Sequence, residues 1–262
     1  MKLNPVTTWL RWIGIAILLG CLGSGSAAIA QERPPESSVL RVGMSPVFPP
    51  MVFKQGKELA GVEVDLARAL GEKLGRKVVM VELPWEDQIE ALSAGRIDII
   101  MSSLSITTAR RYVMDFSQPY LVVGQMALVR REDYNLYLLG IPLQPPGPVG
   151  VLKATTGEFL VQREFPKATR KVFTSASKAV QALQKKKITF FISDSTLIWY
   201  LAGTHSAEGL AAVKAVLSEE QLAWGIRKGD DKLLAAANEF LQQATQDGTL
   251  KRILRRWTAV SP

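Results

Sequence analysis

Short apolar strands alternate with amphipathic helices through the first half of the chain, and this alternation restricts its fold more than any other feature. Residues 40–44 alternate in polarity as a half-buried strand does. A helical pattern then places Leu66, Leu70 and Leu74 on one face and stops at Gly75. The next predicted elements are a strand at 77–83, a helix at 86–94 and a strand at 97–101. Repeated strand–helix units predict an open α/β sheet.

The alternation restarts after a turn-rich segment that contains Pro142 and residues 144–148. The predicted elements around this segment are strands at 124–131, 149–152 and 188–192 and helices at 157–164, 177–185 and 195–202. The chain closes with a predicted helix at 230–246 and a second one that carries Leu250, Ile253, Leu254 and Trp257 at helical spacing. This pattern predicts a second, smaller α/β lobe.

The first 30 residues predict a secretory signal peptide that is not part of the fold. Lys2 and Arg11 precede an apolar run at 12–22 that is too short to span a bilayer, and small residues follow up to Ala30. This layout predicts cleavage before Gln31.

An earlier processing signal overlaps the first. Leu18-Leu19-Gly20-Cys21 resembles a bacterial lipobox, and its use would attach lipid to Cys21 and tether the protein to a membrane. The alternative is that Cys21 is one more apolar residue of a discarded signal. Because Cys21 is the only cysteine, the mature chain has no disulfide, no thiolate metal site and no cysteine nucleophile.

The charge balance is basic but dispersed. The whole chain carries 32 basic and 24 acidic residues; without Lys2 and Arg11 the mature chain keeps 30 and 24, a net charge of +6. The densest basic groups, at 185–187 and 251–256, are interpreted as solvated faces with at most a mild attraction for anionic lipid. Export argues against a nucleic-acid partner.

A hydroxyl-rich segment follows the predicted strand at 97–101 and leads to an arginine. Thr107 is a plausible N-cap for the next helix, which places Arg110 in a first turn where the helix dipole disfavours a cation. A bound carboxylate held by the guanidinium and nearby hydroxyls would explain the arginine. The alternative is a solvated surface arginine, as Arg111 beside it suggests.

Several separated motifs together resemble the polar amino-acid family of periplasmic solute-binding proteins, family 3. The motifs are SSLSIT followed by Arg110 and FSQPY, and the closing stretch GIRKGDDKLLAAANEFLQQATQDGTLKRILRRW. The resemblance spans about residues 39–257. It implies a type II periplasmic-binding fold of two α/β lobes, 39–121 plus 224–262 and 122–223, joined by two crossover strands. Ligand would lie in the cleft between the lobes at the carboxyl ends of strands, and the lobes would close by hinge bending.

For the ligand carboxylate, the resemblance implies Arg110 together with Ser103, Ser105 and Thr156. Thr156 lies in a strand–loop–helix motif in which Thr155 and Glu158 also fit a structural capping box. Ala154 replaces the usual glycine of the family, which puts the close approach of the backbone there in doubt.

For the ligand ammonium, the resemblance implies Asp194, which follows a predicted strand and precedes a helix. The alternative is a plain helix cap. Lys187-Ile188-Thr189 departs from the family's usual Gly-x-x-Asp and is expected to alter a turn only.

For the ligand side chain, the resemblance implies Phe48, Trp85 and Ser45, although either aromatic residue would also suit a core. Many relatives have Asp at the position of Ser45, so its loss argues weakly against a Lys, Arg or His ligand. Glu86 and Asp87 could compensate, but a solvated helix start explains them better.

These features predict an exported, monomeric amino-acid-binding protein that delivers ligand to an ABC permease in the membrane. We expect no cofactor, no metal site, no catalytic residue and no role for His205, the only histidine. One alternative is a cyclohexadienyl dehydratase-like enzyme, for which Glu63, Glu86 or Glu158 would be the candidate acid. The other is a ligand-sensing subunit, which would look the same in sequence.

Overall fold

The computed structural model describes residues 38–258, so the predicted signal peptide and Cys21 lie outside the described residues. The strands are β1 Val39–Met44, β2 Val47–Phe48, β3 Val52–Gln55, β4 Glu58–Ala60, β5 Lys77–Glu82, β6 Ile99–Ile100, β7 Met114–Phe116, β8 Leu121–Val123, β9 Gln125–Arg130, β10 Val149–Leu152, β11 Arg170–Phe173, β12 Phe190–Asp194, β13 Leu210–Val213, β14 Glu220–Leu222 and β15 Gly225–Arg227. The helices are α1 Val62–Leu74, α2 Gln88–Ser93, α3 Thr108–Val113, α4 Thr156–Glu164, α5 Ala176–Gln184, α6 Ser195–Thr204, α7 Asp231–Gln246 and α8 Thr249–Trp257. No helix within 38–258 is long and apolar enough to cross a membrane.

Two five-stranded sheets organise the fold, one in each lobe. The first has the order β5-β1-β6-β15-β7 and draws its strands from residues 39–116 and 225–227. The second has the order β11-β10-β12-β9-β13 and draws its strands from residues 125–213. In each sheet two strand pairings are parallel and two are antiparallel, because one strand, β15 or β9, runs against the other four. The α/β prediction is therefore confirmed, while the lobe boundaries given above stay a prediction.

The chain crosses from the first sheet to the second through β8 and returns through β14. These two strands pair with each other in antiparallel register, from Leu121 opposite Leu222 to Val123 opposite Glu220. The bridge between Ser105 and Leu222 continues this pairing towards the first lobe. The two crossover strands thus form one short ribbon between the sheets.

Local sequence signals explain where several elements begin and end. Helix α1 ends at Gly75, which adopts the left-handed conformation (φ 61°) that a glycine takes without strain and that closes the helix. Thr107 accepts a hydrogen bond from the backbone N–H of Arg110, as predicted for an N-cap. Ser175 caps α5 in the same way.

The strand predicted at residues 97–101 is shorter than expected, and only Ile99 and Ile100 pair as β6. Asp98 instead binds Arg41, accepting from the backbone N–H at 2.8 Å and from the guanidinium at 2.6 Å. The helix predicted at residues 86–94 is also different, since a 3₁₀ turn at Trp85–Asp87 precedes α2.

A buried carboxylate, Glu63, joins three segments of the first lobe and the crossover ribbon. It lies in the first turn of α1 and is fully buried. It accepts hydrogen bonds from the backbone N–H of Ser103 at 2.6 Å, from the Tyr120 hydroxyl at 2.6 Å and from the Trp224 indole N–H at 3.1 Å. Burial raises the pKa of Glu63, and the three donors oppose that shift.

We predict that Glu63→Ala lowers the free energy of unfolding by about 3 to 5 kcal/mol, because three buried donors lose their acceptor. Chemical denaturation followed by tryptophan fluorescence measures the change. Glu58→Ala is the matched control, since Glu58 is exposed on β4 and should change stability by less than about 0.5 kcal/mol. Equal unfolding midpoints for the two variants would contradict the structural role of Glu63.

Candidate functional site

A cavity of about 610 Å³ lies between the two lobes and is lined by residues of both lobes and of the crossover ribbon. Trp85 and Arg110 line it from the first lobe, Thr156 from the second, and Glu220 from the ribbon. A smaller cavity of about 270 Å³ is lined by Ser45, Phe48 and Trp85. Of the predicted site residues, Ser103, Ser105 and Asp194 line neither cavity.

Arg110 is held at the cavity wall by its own helix and by neighbouring residues. One terminal nitrogen donates to the Ser105 carbonyl at 2.8 Å, and the guanidinium lies 5.3 Å from the centre of the Trp85 ring. The residue is only 9 % exposed. Burial lowers the pKa of Arg110, while the charges of Asp194 and Glu220 oppose that shift. Among the described residues no carboxylate forms an ion pair with this guanidinium, so its remaining N–H groups are available to an anion.

The two predicted serines precede Arg110 in the chain and take different roles. Ser103 adopts a left-handed backbone conformation (φ 58°) and donates its backbone N–H to Glu63, while its buried hydroxyl has no partner in the described part of the chain. Ser105 donates its hydroxyl to Glu220 at 2.7 Å. The structure therefore brings Ser105 to a carboxylate on the crossover ribbon.

The loop before α4 contains the predicted capping box in a modified form, because Glu158 bonds the residue before the N-cap and not the N-cap itself. Thr155 accepts from the backbone N–H of Glu158, and Glu158 accepts from the backbone N–H of Ala154 at 2.8 Å. Ala154 stands where the family has glycine and has φ 57°, so the turn keeps a left-handed conformation that a side chain strains. The Trp85 indole N–H donates to the Ala154 carbonyl at 3.0 Å, which joins the two lobes across the cavity.

Asp194 lies at the junction of β12 and α6 but does not cap the helix through its side chain. Its Oδ1 accepts from the Gln125 amide at 2.6 Å, and the residue is 7 % exposed. Burial raises the pKa of Asp194 to about 7, the charge of Glu220 adds to this rise, and Gln125 and Arg110 oppose it. The alternative that Asp194 is a plain helix cap is therefore not what the structure shows.

Two polar residues that sequence reasoning missed complete the site. The Gln125 side-chain nitrogen lies within hydrogen-bonding distance of Asp194 at 2.6 Å, of Glu220 at 3.0 Å and of Thr156 at 3.2 Å. Gln125 is fully buried at the start of β9, and an amide directly before the apolar run MALV was a usable signal. Glu220 lies in a polar stretch that carried no comparable signal.

The predicted side-chain wall is formed by two aromatic rings and one buried serine. Phe48 and Trp85 meet edge to face with 5.0 Å between ring centres. The backbone N–H of Ser45 donates to the Ser102 hydroxyl at 2.7 Å. Glu86, in the middle of the 3₁₀ turn, pairs with Lys153 of the second lobe at 2.9 Å, so its charge is matched by a protein cation.

The three carboxyls proposed as candidate acids all have structural partners. Glu63 serves the three donors described above, Glu86 pairs with Lys153, and Glu158 completes the capping box and also approaches Arg170 at 3.4 Å. Within residues 38–258 no cluster of three histidine, cysteine or acidic side chains could hold a metal ion. His205 lies 3.0 Å from Glu208 at the end of α6.

Comparison with known proteins places the whole fold in one family. The sequence profile of the bacterial extracellular solute-binding proteins, family 3, matches residues 40–260. A probable histidine-binding protein of Neisseria gonorrhoeae is 28 % identical over 95 % of this chain and 96 % of its own length. The L-cystine-binding protein TcyJ of Escherichia coli K12 is 26 % identical over 85 % of this chain and 83 % of its own length.

Solved structures give the same result. An ancestral arginine-binding protein bound to arginine is 30 % identical, with a TM-score of 0.78 over 84 % of this chain and 98 % of its own. An ancestral amino acid-binding protein described as a precursor of cyclohexadienyl dehydratase is 32 % identical, with a TM-score of 0.78 over 84 % of this chain and 96 % of its own. With the profile match over most of its length, the chain belongs to family 3 of the bacterial extracellular solute-binding proteins and has their two-lobed fold.

Proposed function

We propose that this protein is the extracytoplasmic binding subunit of an amino-acid ABC importer and that it holds a free amino acid between its two lobes. The observation that carries the proposal is the placement of two buried charged groups on opposite lobes. Arg110 lies in the cavity wall, and Gln125 links the Asp194 carboxylate to the cavity-lining residues Thr156 and Glu220. A free amino acid is a zwitterion, so its site must supply a cation for the ligand carboxylate and an anion for the ligand ammonium. Relatives named as histidine-binding and cystine-binding proteins, and a relative structure bound to arginine, support this reading.

In the proposed complex the ligand carboxylate lies against the free N–H groups of Arg110. The Thr156 hydroxyl and the backbone N–H groups at the start of α4 add neutral donors from the second lobe. The Ser105 carbonyl holds Arg110 in place, and the unpartnered hydroxyl of Ser103 can turn to the anion.

The ligand ammonium lies against the oxygen of Asp194 that Gln125 does not occupy. The ligand side chain extends past Trp85 towards the wall formed by Phe48 and Ser45. Closure of the lobes then excludes water, which strengthens both charge pairs.

The proposal includes an ABC permease as membrane partner, a monomeric chain and no chemistry on the ligand. The likeness to a dehydratase precursor makes turnover of prephenate or arogenate the direct test of the enzymatic alternative. A sensory role differs from transport only in the membrane partner, and the neighbouring genes separate the two. Anchoring through Cys21 is tested by mass spectrometry of the mature N-terminus.

We predict saturable binding of one or a few amino acids when the mature protein, refolded to remove bound ligand, is titrated calorimetrically with the twenty standard amino acids. Arg110→Ala should weaken binding by about 2 to 5 kcal/mol, because the ligand carboxylate loses its buried charge partner. Arg111→Ala is the matched control, since Arg111 is exposed and its guanidinium lies over Phe116.

Absence of binding across the whole panel would overturn the proposal and leave other small carboxylates and prephenate turnover to be tested. Equal affinities of the Arg110→Ala and Arg111→Ala variants would show that Arg110 does not hold the carboxylate. Thermal unfolding of both variants separates a binding defect from a folding defect.

We also predict that affinity rises with pH up to about 7 and then levels off. In the ligand-free protein the pKa of Asp194 is about 7, so at lower pH this carboxyl is protonated and must lose its proton before it pairs with an ammonium. Affinity should therefore fall about tenfold for each pH unit below 7. Titrations at pH 5, 6, 7 and 8 measure the slope.

Asp194→Asn should bind weakly and show no slope, whereas Asp247→Asn, at an exposed position, should behave as wild type. A flat profile for the wild-type protein would contradict the pairing of Asp194 with the ammonium.

A further inference from the structure

Glu220 presents a carboxylate to the large cavity from the crossover ribbon. Its Oε1 accepts from Gln125 at 3.0 Å and from the Ser218 hydroxyl at 3.0 Å, and its Oε2 accepts from the Ser105 hydroxyl at 2.7 Å. These donors are all neutral. Within residues 38–258 no lysine, arginine or histidine forms an ion pair with Glu220, and Oε2 keeps a lone pair for one more donor.

A bound amino acid with an uncharged side chain would leave the negative charges beside the cavity in excess over the positive ones. Asp194 and Glu220 accept from the same Gln125 nitrogen, at 2.6 and 3.0 Å, so two carboxylate oxygens lie within about 5.6 Å of each other. Arg110 is the cation that faces them, since Arg163, which also lines the cavity, pairs with Glu164 at 2.6 Å. Once a ligand carboxylate occupies Arg110, two protein carboxylates remain and the α-ammonium neutralises one. Two carboxylates this close in a water-excluded site require a further cation or proton.

The cavity wall suits a ligand side chain with an aliphatic stem. Ile89, Leu104 and Val113 line it from the first lobe, and Leu160 lines it from the second. Glu220 is therefore a charged group at the edge of an apolar surface. Methylene groups followed by a terminal cation match that order of surfaces.

We propose that Glu220 selects the ligand by its side-chain charge, and that the ligand is an α-amino acid with a cationic side chain whose terminal group donates to Glu220. This inference rests on the proposed function. The serine at position 45 then no longer argues against a cationic ligand. The carboxylate for the side-chain cation comes from the crossover ribbon and not from the loop after β1.

The test compares L-arginine with L-citrulline, which has nearly the same shape and a neutral end group, in calorimetric titrations of the ligand-stripped protein. Wild type should bind arginine at least tenfold more tightly than citrulline. Glu220→Gln keeps the size and an acceptor oxygen but removes the charge, so arginine affinity should fall at least tenfold while citrulline affinity changes less than threefold.

Glu72→Gln is the matched control, because it removes the same charge from an exposed residue of α1 that lines neither cavity. It should leave the arginine preference within threefold of wild type. L-lysine and L-norleucine form a second cationic and neutral pair for the same measurement, and agreement between the pairs supports the assignment.

Three outcomes count against the inference, and they are distinguishable. If wild type binds citrulline or norleucine as tightly as the cationic partner, the ligand class is wrong while the amino-acid function stands. If Glu220→Gln weakens both members of a pair equally, Glu220 acts structurally and the inference is overturned. If no amino acid binds at all, the proposed function fails, and this inference fails with it.

Discussion

The carboxylate of Glu63 is the interaction on which the ligand cleft depends. It lies near the N-terminus of α1, where the helix dipole favours a negative charge, and its three donors come from distant parts of the chain. Ser103 begins the segment that leads to Arg110, while Tyr120 and Trp224 flank the two crossover strands. One buried anion therefore sets the position of the carboxylate-binding segment relative to the ribbon that joins the lobes. An apolar residue at position 63 would fill the space but would leave these three segments unaligned.

The ligand cleft contains buried charged groups that the protein alone does not pair with opposite charges. Within the described residues Arg110 is buried without an ion-pair partner, and Asp194 shares one amide with Glu220. Each of these groups has lost water without gaining a full charge partner, which costs free energy in the empty protein. Such unpaired buried charges concentrate at functional sites because a ligand that supplies the opposite charges recovers that cost. In the ligand-free protein, hydrogen bonds from Ser105 and Gln125 keep the carboxylates of Glu220 and Asp194 oriented.

Much of the fold could be predicted from sequence because its signals are local. Hydrophobic periodicity gave the α/β alternation, and Thr107 and Thr155 act as caps because N-capping involves residues three apart. The hairpins of β2 to β4 and the short strands β7, β8, β11, β13, β14 and β15 were not predicted, since two to four residues give too short a pattern.

The network around Gln125 and Glu220 was missed for a different reason. These residues are 95 positions apart, and no local pattern reports a contact over that separation. Arg110, Thr156 and Asp194 were proposed because they follow strand ends in a family motif, and the structure brings all three to one region. Their roles as ligand contacts remain predictions until binding is measured.

The pairing of β8 with β14 has a consequence for the order in which a ligand is captured. These two adjacent strands carry the only described chain connections between the sheets, so they act as a hinge. Residues near a hinge move little when the lobes on either side rotate. Glu220 begins β14 and Gln125 begins β9 just after β8, whereas the Trp85–Ala154 and Glu86–Lys153 contacts join the two lobes outside the ribbon. A ligand that first contacts the hinge residues finds the same groups whether the lobes are apart or together. Selection at the hinge can therefore precede closure, and the Trp85–Ala154 and Glu86–Lys153 contacts indicate that closure has taken place.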